Sequence, residues 1–524
     1  MSRLEVRKKS KAQLVVDNLY EDLERRIIAS PPGLCPVDMT ASFLKLFHAQ
    51  TCGKCVPCRI GLGVLEDMLE DVLDGKATLE TLSLIERTAK AIYDSADCAI
   101  GYEAGRMVLK GLEGFREDFI EHITNGHCSC HLEQPVPCPA GVDVPGYISL
   151  IADERYADAV KLIRKDNPFV TSCALVCEHP CETKCRRNFV DDAVNIRGLK
   201  RYAADHCGLV PPPECCEPTG KTIAIIGGGP SGLSAAYYLQ QMGHQCTVFE
   251  HRKELGGMLY YGIPNYRLPK ERLAEDVQNI LATGVETKMN TCIGDGDGEI
   301  SFKMLKENYD AVYISIGAHT DKKLGIPGED AKGVISAIQM LRDIGDGNPP
   351  DFTGKNVIVV GGGNVAMDAT RSAIRLGAKN VSVMYRRRKA DMTALMDEIE
   401  AAIAEGAEIL ELHAPQAIET NKKGHVTAMV ADPKIIGLIT GGRPSPANSG
   451  REPIHIPCDI VIVAIGQDIV SEPFERAGIP AKRGRFLAQK DSSIAEKDGV
   501  FSGGDCVTGP ATVIRAIAAG KVAA

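Results

Sequence analysis

The chain has 524 residues, of which 44% are hydrophobic and 25% charged, a composition typical of folded globular proteins and unlike that of disordered or fibrous ones. Its net charge of -9 argues against a nucleic-acid binder or a protein that binds acidic membranes. With no signal peptide and no apolar run long enough to span a bilayer, we expect a cytoplasmic protein of three or four domains.

The first part of the chain is predicted to be helical. Residues 1–40 are predicted to form a helical lead-in, and residues 41–126 a helical domain with apolar residues at i, i+3, i+4 and i+7. This domain contains a C-x2-C-x2-C run and a fourth cysteine 40 residues later, at Cys52, Cys55, Cys58 and Cys98. Three thiolates on a tight turn with a distant fourth favour a 4Fe–4S cluster, whereas zinc usually takes two separated pairs. Zinc or buried thiols remain the alternatives.

These cysteines belong to a longer stretch with a family resemblance. The segments CGKCVPCRIG, SADCAIG and GFREDFIEHI resemble the C-terminal cluster domain of the NADH-oxidising flavoprotein subunit of complex I, a domain shared with NAD-linked hydrogenases. The resemblance covers about residues 40 to 125 and implies one 4Fe–4S cluster. The FMN and NADH domain of that family has no counterpart in this sequence, so the resemblance implies docking to a separate FMN/NADH-binding subunit and a small iron–sulfur subunit.

Residues 127–215 are predicted to form a second, α-helical ferredoxin-like iron–sulfur domain. Seven further cysteines are its candidate ligands: Cys128, Cys130, Cys138, Cys173, Cys177, Cys181 and Cys185. Two 4Fe–4S clusters need eight ligands. Two clusters completed by His131 or another atypical ligand, one cluster, and a degenerate or zinc-bound site therefore all stay open.

A second resemblance covers this domain. CPAGVDVPGYI, NPFVTSCALVCEHPCETKC and VNIRGLKRY resemble the double-cluster domain of the glutamate synthase small subunit family, which includes the large subunit of NADH-dependent ferredoxin:NADP oxidoreductase. Cys138, Cys177, Cys181 and Cys185 fall on ligand positions of that family. The first cysteines depart from its pattern, with C-x-C-x7-C in place of C-x2-C-x4-C-x3-C. A family position that can carry a non-cysteine ligand holds Lys200, a poor ligand because it is protonated at neutral pH.

Residues 216–325 and 456–524 are predicted to form a split FAD-binding domain. A strand, a glycine turn that opens a helix, and a second strand ending at Glu250 form a dinucleotide fingerprint. Its glycines let the pyrophosphate approach the helix N-terminus, and Glu250 can accept the ribose hydroxyls. In two-dinucleotide flavoproteins, the counterpart of Asp505 holds the ribityl chain, and the resemblance of YGIPNYRLPKERL to the glutamate synthase family implies that Arg267 contacts FAD. The predicted FAD residues are Gly227, Gly229, Pro230, Ser231, Gly232, Glu250, Gly257, Met258, Arg267, Ala318, Gly504, Asp505 and Thr512.

Residues 326–455 are predicted to form an inserted NADP(H)-binding domain. Its turn has the GxGxxA form, with Ala366 as the last residue, and its second strand ends in arginines where an NAD site carries an acid. Guanidinium groups bind a 2′-phosphate bidentately, which favours NADP(H). NAD(H), or a solvated basic face, is the alternative. The predicted residues are Gly361, Gly363, Asn364, Val365, Arg386, Arg387, Ala464 and Gly466.

The predicted fold class is therefore α/β, with two Rossmann-like domains, one inserted in the other, behind two helical iron–sulfur domains. No catalytic acid–base residue is predicted, because hydride transfer between nicotinamide and flavin depends on stacking geometry. The remaining cysteines singled out have no ligand spacing and are predicted to be buried, inert thiols: Cys207, Cys215, Cys216, Cys246, Cys292, Cys458 and Cys506. The adjacent Cys215 and Cys216, on a linker, are also compatible with a surface pair.

The functional hypothesis follows from the two resemblances. They imply the NADP-reactive subunit of a multisubunit NADH/ferredoxin:NADP transhydrogenase, of a kind that can bifurcate electrons, with ferredoxin as a redox partner of the complex. The alternatives are a glutamate synthase small subunit, the diaphorase subunit of a hydrogenase or formate dehydrogenase, and an electron-transfer scaffold with decayed nucleotide sites. The intact glycine motifs argue against the last of these.

Overall fold

A computed structural model describes residues 10–29, 35–126, 138–189, 191–294, 296, 298–440, 443–495 and 497–524. The chain divides into two compact units. The first comprises Met1–Cys138 and His179–Ile196, and the second comprises Pro139–Glu178 and Arg197–Ala524. Within the described residues, no helix has the length and apolar character needed to cross a bilayer.

Five helices and one π-helical turn form most of the first unit, in agreement with the helical periodicity of the sequence. They are α1 (Lys11–Ala29), α2 (Pro36–Ala49), the π-helical turn Pro57–Gly61, α3 (Leu62–Leu73), α4 (Leu79–Ser95) and α5 (Ala99–Asn125). Their apolar faces bury Leu44, Leu65, Ile85 and Val108 in one core. Close packing of α2 on α5 depends on Gly111, where an added Cβ would lie 2.6 Å from Thr40 Oγ1.

Five short helices follow: α6 (Val144–Ala152), α7 (Tyr156–Arg164), α8 (Val170–Val176), α9 (Pro180–Thr183) and α10 (Ile196–His206); a 3-10 turn spans Arg186–Phe189. The predicted 127–215 domain is divided between the two units. One reason is that α8 is held by buried Asp276, which accepts hydrogen bonds from the amides of Thr171 (3.1 Å) and Ser172 (2.7 Å). Residues 179–196 instead contact α5, for example through Lys184 and Glu117 at 2.7 Å. The boundaries of that domain stay a prediction.

The second unit continues with the first parallel sheet and its helices. In chain order these are β1 (Thr222–Ile226), α11 (Pro230–Gln241), β2 (Gln245–Phe249), α12 (Met258–Tyr261), α13 (Lys270–Leu281), β3 (Glu286–Lys288), α14 (Phe302–Asn308), β4 (Ala311–Ile314) and β5 (Thr320–Asp321). The sheet has the order β18-β4-β1-β2-β3, in which β18 is Val500–Ser502, and every pairing is parallel. Its edge strand β18 comes from the far end of the chain.

A second parallel sheet and an antiparallel sheet lie between β5 and the last segment. Their elements are β6 (Val334–Ser336), α15 (Ala337–Gly345), β7 (Asn356–Val360), α16 (Asn364–Arg375), β8 (Asn380–Tyr385), the 3-10 turn Lys389–Asp391, α17 (Met396–Ala404), β9 (Glu408–Glu411), β10 (His413–Thr420), β11 (Val426–Thr440), β12 (Arg443–Asn448), β13 (Ile454–Pro457) and β14 (Ile460–Val463). The parallel sheet has the order β6-β14-β7-β8-β9, and β10 to β13 form the antiparallel sheet.

The chain then returns to the first sheet through β15 (Gln467–Asp468), α18 (Glu472–Arg476), β16 (Ala481–Lys482), β17 (Arg485–Phe486), β18 (Val500–Ser502), α19 (Asp505–Thr508) and α20 (Val513–Ala523). The outgoing β5 and the returning β15 pair antiparallel. The segment that forms the second parallel sheet is inserted in the sequence between β4 and β18 of the first. This arrangement confirms the predicted fold class. The antiparallel sheet is not anticipated by the sequence, and β14 lies in the second sheet although the FAD domain is predicted to resume at residue 456.

Candidate functional site

A cavity of about 510 Å³ opens at the carboxyl ends of the strands of the first sheet. Eleven of the predicted FAD residues line it: Gly227, Gly229, Pro230, Ser231, Glu250, Gly257, Met258, Arg267, Ala318, Asp505 and Thr512. The other two lie behind this wall, where an added Cβ on Gly504 would be 3.0 Å from Ser231, and one on Gly232 only 2.0 Å from the Gly227 carbonyl oxygen.

The glycine turn between β1 and α11 has the geometry of a phosphate site. Gly227 has φ of 106°, and an added Cβ there would lie 2.5 Å from the carbonyl oxygen of Ser315. At Gly229, in contrast, the nearest atom to an added Cβ is 3.8 Å away, so the space above it is open. Because α11 begins at Pro230, its free amides face this space. Such an arrangement fits a pyrophosphate.

Glu250 closes one end of the cavity. One carboxylate oxygen accepts a hydrogen bond from the amide of Gly228 (2.8 Å), and the other accepts from the amide of Arg252 (2.9 Å) and contacts His251 Nδ1 (2.9 Å). Burial alone would raise the pKa of Glu250, but His251 and the two amides outweigh it and hold the pKa below its ordinary value. The group is therefore an anionic acceptor, as a ribose site requires.

Asp505 and the start of α20 form the other end. Burial raises the pKa of Asp505 to about 6, opposed by a hydrogen bond from the amide of Ala511. Thr512 lines the cavity, and its buried Oγ1 has no hydrogen-bond partner among the described residues. An acceptor and an unsatisfied hydroxyl facing a cavity fit the polar edge of a flavin and its ribityl chain.

Replacing Asp505 with Asn tests how much the burial of this ionisable carboxyl destabilises the folded chain. Because the folded-state pKa is raised above the unfolded value, the cost of this carboxyl to the flavin-free chain grows from about pH 4 and is complete above about pH 6. We expect Asp505→Asn to raise the melting temperature of the flavin-free chain by a few degrees at pH 8 and by less at pH 5, while weakening FAD binding. Melting curves of flavin-stripped protein at both pH values check this, and an equal shift at both would contradict it.

The second glycine turn joins β7 to α16. Gly361 has φ of 148°, and an added Cβ would lie 2.3 Å from the carbonyl oxygen of Ala464. Gly361 therefore packs against Ala464, the residue that follows β14. The ring of Tyr385 covers Gly362, where an added Cβ would lie 2.6 Å from ring atoms. Helix α16 begins at Asn364, whose Oδ1 accepts the amide of Leu395 at 2.9 Å. Asn364 and Val365 also line the cavity that contains the predicted FAD residues.

The arginines after β8 differ in their surroundings. Arg386 is exposed, and within the described ranges no partner is found for it. Arg387 donates from Nε to the carbonyl oxygen of Pro444 (2.7 Å), and Arg388 forms an ion pair with Asp391 (2.9 Å). Arg386 is therefore the best placed of the three to meet a 2′-phosphate. Gly466, with φ of 134°, lies on the returning segment beside Lys322.

Arg267 lines the cavity, but its guanidinium is bound by two acids of the inserted domain. Nη1 lies 2.7 Å from Asp368 Oδ2, and Nε lies 2.9 Å from Glu398 Oε1. The FAD contact implied for Arg267 by resemblance stays a prediction, and the observed partners assign this side chain a different primary contact.

The first cysteine set is brought together by the π-helical turn and the start of α5. Burial raises the pKa of Cys58 to about 12, with further contributions from Cys55, Cys98 and Cys52, so the four thiols lie near one another. Backbone amides of Asp97 and Cys58 lower the pKa of Cys55. Amide hydrogen bonds to sulfur are typical of iron–sulfur sites. No three Cys, His, Asp or Glu side chains in the described ranges lie as close as a single metal ion requires.

Gly101, which sequence reasoning missed, lies directly behind Cys58. An added Cβ would be 2.6 Å from Cys58 Sγ and 2.6 Å from Ala96 Cβ. We expect Gly101→Ala to displace Cys58 and to reduce bound iron by about four atoms per chain, the content of one cluster. Iron and acid-labile sulfide analysis measures this. The control is Gly63→Ala, where the nearest atom would be 3.7 Å away, and equal iron loss in both would contradict the expectation.

The second cysteine set is distributed over both units. Cys138, Cys181 and Cys185 belong to the first unit, and Cys173 and Cys177 to the second; Cys128, Cys130 and His131 lie outside the described residues. A hydrogen bond to Cys177, together with burial, raises the pKa of Cys173, while the charge of the buried Lys200 lowers it. Lys200 thus acts on the Cys173 thiol as a nearby cation. The ligand set and the number of clusters here stay predictions.

The structure corrects one expectation about the other cysteines. Cys246, Cys458 and Cys506 are buried as predicted, and Cys207 is partly buried. Cys215 and Cys216 are exposed, in agreement with the alternative of a surface pair, and Cys292 is exposed against the prediction. Cys215 and Cys216 lie in the irregular linker before β1, and Cys292 lies in the loop after β3, in the wall of the cavity.

The cavity wall contains many residues that are absent from the predicted site, and three of them bear on its chemistry. Val176 and Glu178 line the cavity on either side of Cys177, and His319 lines it beside Glu250. Burial and the charge of His251 lower the pKa of His319 to about 4, which leaves it neutral at pH 7. Val176 and Glu178 could have been identified from the sequence, because they flank the candidate ligand Cys177. His319 belongs to no recognisable motif.

Comparison with known proteins gives three family matches. Residues 221–520 match the pyridine nucleotide-disulphide oxidoreductase family, residues 38–122 the NADH-ubiquinone oxidoreductase-F iron-sulfur binding region, and residues 119–208 the dihydropyrimidine dehydrogenase domain II, 4Fe-4S cluster. Among solved structures, FprA from Mycobacterium tuberculosis shares the fold over 57% of this chain and 83% of its own, with a TM-score of 0.50 and 20% identity.

The chain is also similar over most of its length to several curated proteins. The NADP(+)-dependent formate dehydrogenase subunit beta of Moorella thermoacetica is 34% identical over 95% of this chain and 80% of its own. The NADPH-Fe(3+) oxidoreductase subunit beta of Geobacter sulfurreducens is 35% identical over 91% and 77%. The glutamate synthase [NADPH] small chain of Escherichia coli is 32% identical over 74% and 86%.

Proposed function

Because the chain belongs to the pyridine nucleotide-disulphide oxidoreductase family, we propose that it is the NADP(H)-reactive subunit of a multisubunit electron-transfer complex, in which it passes single electrons to partner subunits. It is an NAD(P)H-dependent FAD and iron–sulfur oxidoreductase, with FAD, NADP(H) and 4Fe–4S clusters as its cofactors. The finer proposal is a transhydrogenase-type complex that links NADP(H) to NADH and ferredoxin. The cytoplasmic location stays a prediction from the sequence.

One observation carries the electron-transfer proposal. Val176 and Glu178, the neighbours of Cys177, form part of the wall of the cavity that holds the predicted FAD residues. A backbone segment carrying a candidate cluster ligand is thereby one wall of the candidate flavin site. Arg197 fixes this segment, since its Nη1 donates to the Cys177 carbonyl oxygen at 3.1 Å. The arrangement supports electron flow between flavin and cluster over a short distance.

The residues that line the candidate flavin site have distinct proposed roles. FAD held in this site would supply hydride exchange with nicotinamide and single-electron exchange with the clusters. Glu250 and the amides at the start of α11 bind the adenosine and pyrophosphate, and Asp505 and Thr512 orient the other end. The amides at the start of α20 present partial positive charge to the cavity, which stabilises negative charge on a bound ring system. Arg386 selects the 2′-phosphate.

The proposed partners follow from the first unit. Its match to the iron-sulfur binding region of an NADH-ubiquinone oxidoreductase subunit supports docking to an FMN/NADH-binding subunit and a small iron–sulfur subunit. The names of the Moorella and Geobacter relatives as beta subunits support an assembly of several chains. A second candidate is the diaphorase subunit of a formate dehydrogenase, favoured by the relative from Moorella.

An anaerobic titration of the purified holoprotein with NADPH, and separately with NADH, tests the proposal. We expect NADPH to bleach the flavin absorbance first and the broad iron–sulfur absorbance after it, and NADH to do so only at much higher concentration. Preference for NADH would overturn the NADP(H) assignment. Bleaching of flavin without the clusters would overturn the electron path past Cys177. Formate-dependent reduction by the complex purified from cells would favour the diaphorase candidate.

A further inference from the structure

Arg267 joins the two nucleotide-binding domains through a buried ion pair. It lies between α12 and α13 of the first domain, whereas its partners lie on α16 and α17 of the inserted domain. Nη1 contacts both carboxylate oxygens of Asp368, at 2.9 and 2.7 Å, and Nε lies 2.9 Å from Glu398. The side chains of Arg267 and Asp368 are 12% and 5% exposed. A pair so buried has a well-defined geometry, because an unpaired charge there is costly.

The pair continues into a balanced network within the inserted domain. Arg371 lies 2.8 Å from Glu398 and 2.9 Å from Glu405, and Arg375 lies 2.8 Å from Glu405. With Arg267 and Asp368 included, the network has three cations and three anions: Arg267, Arg371, Arg375, Asp368, Glu398 and Glu405.

The residue before Arg267 adds a second contact between the domains. The guanidinium groups of Arg371 and Arg375 lie over the ring of Tyr266, with Cζ 4.7 and 4.0 Å from its centroid. Tyr266 Oη also donates to the carbonyl oxygen of Asp368 at 3.4 Å. Two consecutive residues of the first domain are therefore held by the same face of α16.

Asp368 lies one helical turn after the predicted NADP(H) residues Asn364 and Val365, and it lines the same cavity as they do. Asp368 follows Asn364 by four residues on α16, so both lie on one face of the helix. Asn364 and Val365, in the first turn, form part of the cavity wall. Fixing Asp368 therefore fixes the position of the first turn of α16 relative to the predicted FAD residues in the same cavity wall.

From this geometry we propose that Arg267 is a positioning residue for hydride transfer, which acts by holding α16 through Asp368 and Glu398. The inference rests on the proposed function and deepens it, since it names what sets the distance between the two dinucleotides. It differs from a role in binding FAD, because the partners of the guanidinium are carboxylates of the inserted domain.

The test compares Arg267→Lys, Arg267→Ala, Asp368→Asn and the double variant Arg267→Ala/Asp368→Asn in the holoprotein. The control is Lys253→Gln, which breaks a more exposed pair between the same domains, Lys253 with Asp346 at 3.0 Å. Bound FAD, NADP⁺ affinity and the rate of flavin bleaching by NADPH are measured for each. We expect unchanged FAD content and NADP⁺ affinity, and a bleaching rate about 100-fold lower in Arg267→Ala and Asp368→Asn. The double variant is expected to be no slower than either single variant.

Several results would overturn the proposal. Loss of FAD in the Arg267 variants, with normal rates in the flavin that remains, would make Arg267 a cofactor ligand. An equal loss of rate in Lys253→Gln would indicate general loosening of the interface. Arg267→Lys keeps the charge but loses the bidentate geometry, so a folded protein with an unchanged rate would also contradict the proposal.

Hydrogen exchange separates this inference from the proposed function. It is measured on oxidised protein without nucleotide, so it needs no reduction by NADPH. We expect faster exchange of α16 and α17 amides in Asp368→Asn than in Lys253→Gln. Equal exchange in the two variants would overturn the proposal that Arg267 holds α16, even if NADPH reduces the wild type. Faster exchange with a wild type that NADPH cannot reduce would instead overturn the proposed function.

Discussion

Gly232→Ala is expected to yield a chain that does not retain FAD. An added Cβ would lie 2.0 Å from the Gly227 carbonyl oxygen and 2.7 Å from Ser315 Oγ, so α11 must move away from β1. Overpacking of this kind costs about 1–3 kcal/mol of folding stability and also shifts the amides that face the phosphates. The measurements are flavin content after purification and the melting temperature of the flavin-free chain.

Gly229→Ala is the matched variant. Its added Cβ finds no atom closer than 3.8 Å, so the flavin-free chain should melt at the wild-type temperature. The methyl group nevertheless occupies the space left for a phosphate, so FAD should again be lost. If Gly229→Ala retained FAD at wild-type affinity, the pyrophosphate would not lie over this turn, and the assignment of the first domain to FAD would be wrong.

Arg386→Ala is expected to change the coenzyme preference. Loss of a charge-assisted hydrogen bond to a 2′-phosphate lowers kcat/KM for NADPH by about 10- to 100-fold, and NADH, which lacks that phosphate, should be unaffected. Added salt should weaken the wild-type reaction with NADPH more than that with NADH, because Arg386 is exposed. Steady-state rates with both coenzymes at two ionic strengths measure the effect.

Arg388→Ala provides the comparison for this variant. Arg388 lies two residues further on, but its guanidinium is paired with Asp391 at 2.9 and 3.1 Å. Its removal should leave the ratio of NADPH to NADH activity unchanged. If Arg388→Ala and Arg386→Ala had the same effect, the basic segment would act as a diffuse positive surface rather than through one positioned arginine.

The predictions from sequence that the structure confirms depend on local patterns. The two glycine turns and their strand–turn–helix context predict two Rossmann-like domains, one inserted in the other, and both parallel sheets are present. Glu250 is identified by its spacing from the first turn, and Asp505 by the strand, Gly504-Asp505 and helix pattern late in the sequence; both line the cavity. Such residues are within reach of sequence reasoning because the chemistry and the backbone geometry are specified within about 30 residues.

Other features depend on contacts between distant parts of the chain. The pairing of Arg267 with Asp368 joins residues 101 positions apart, and neither belongs to a pattern that identifies the other. Gly101 is constrained by Cys58, which precedes it by 43 positions and lies against it only after α5 has packed. The division of residues 139–196 between two units likewise follows from which helices bury them, which no local periodicity encodes.

The insertion of the second domain has a consequence for synthesis on the ribosome. Strand β18 completes the first sheet beside β4, but about 185 residues separate them in the chain. At about 5–20 residues per second, translation of that interval takes roughly 10–40 s, during which β4 has an unpaired edge. The inserted domain, whose contacts are nearer in sequence, has time to fold first. Asp505 and Thr512 emerge later still, so we expect the predicted flavin site to be completed only after the inserted domain has been synthesised.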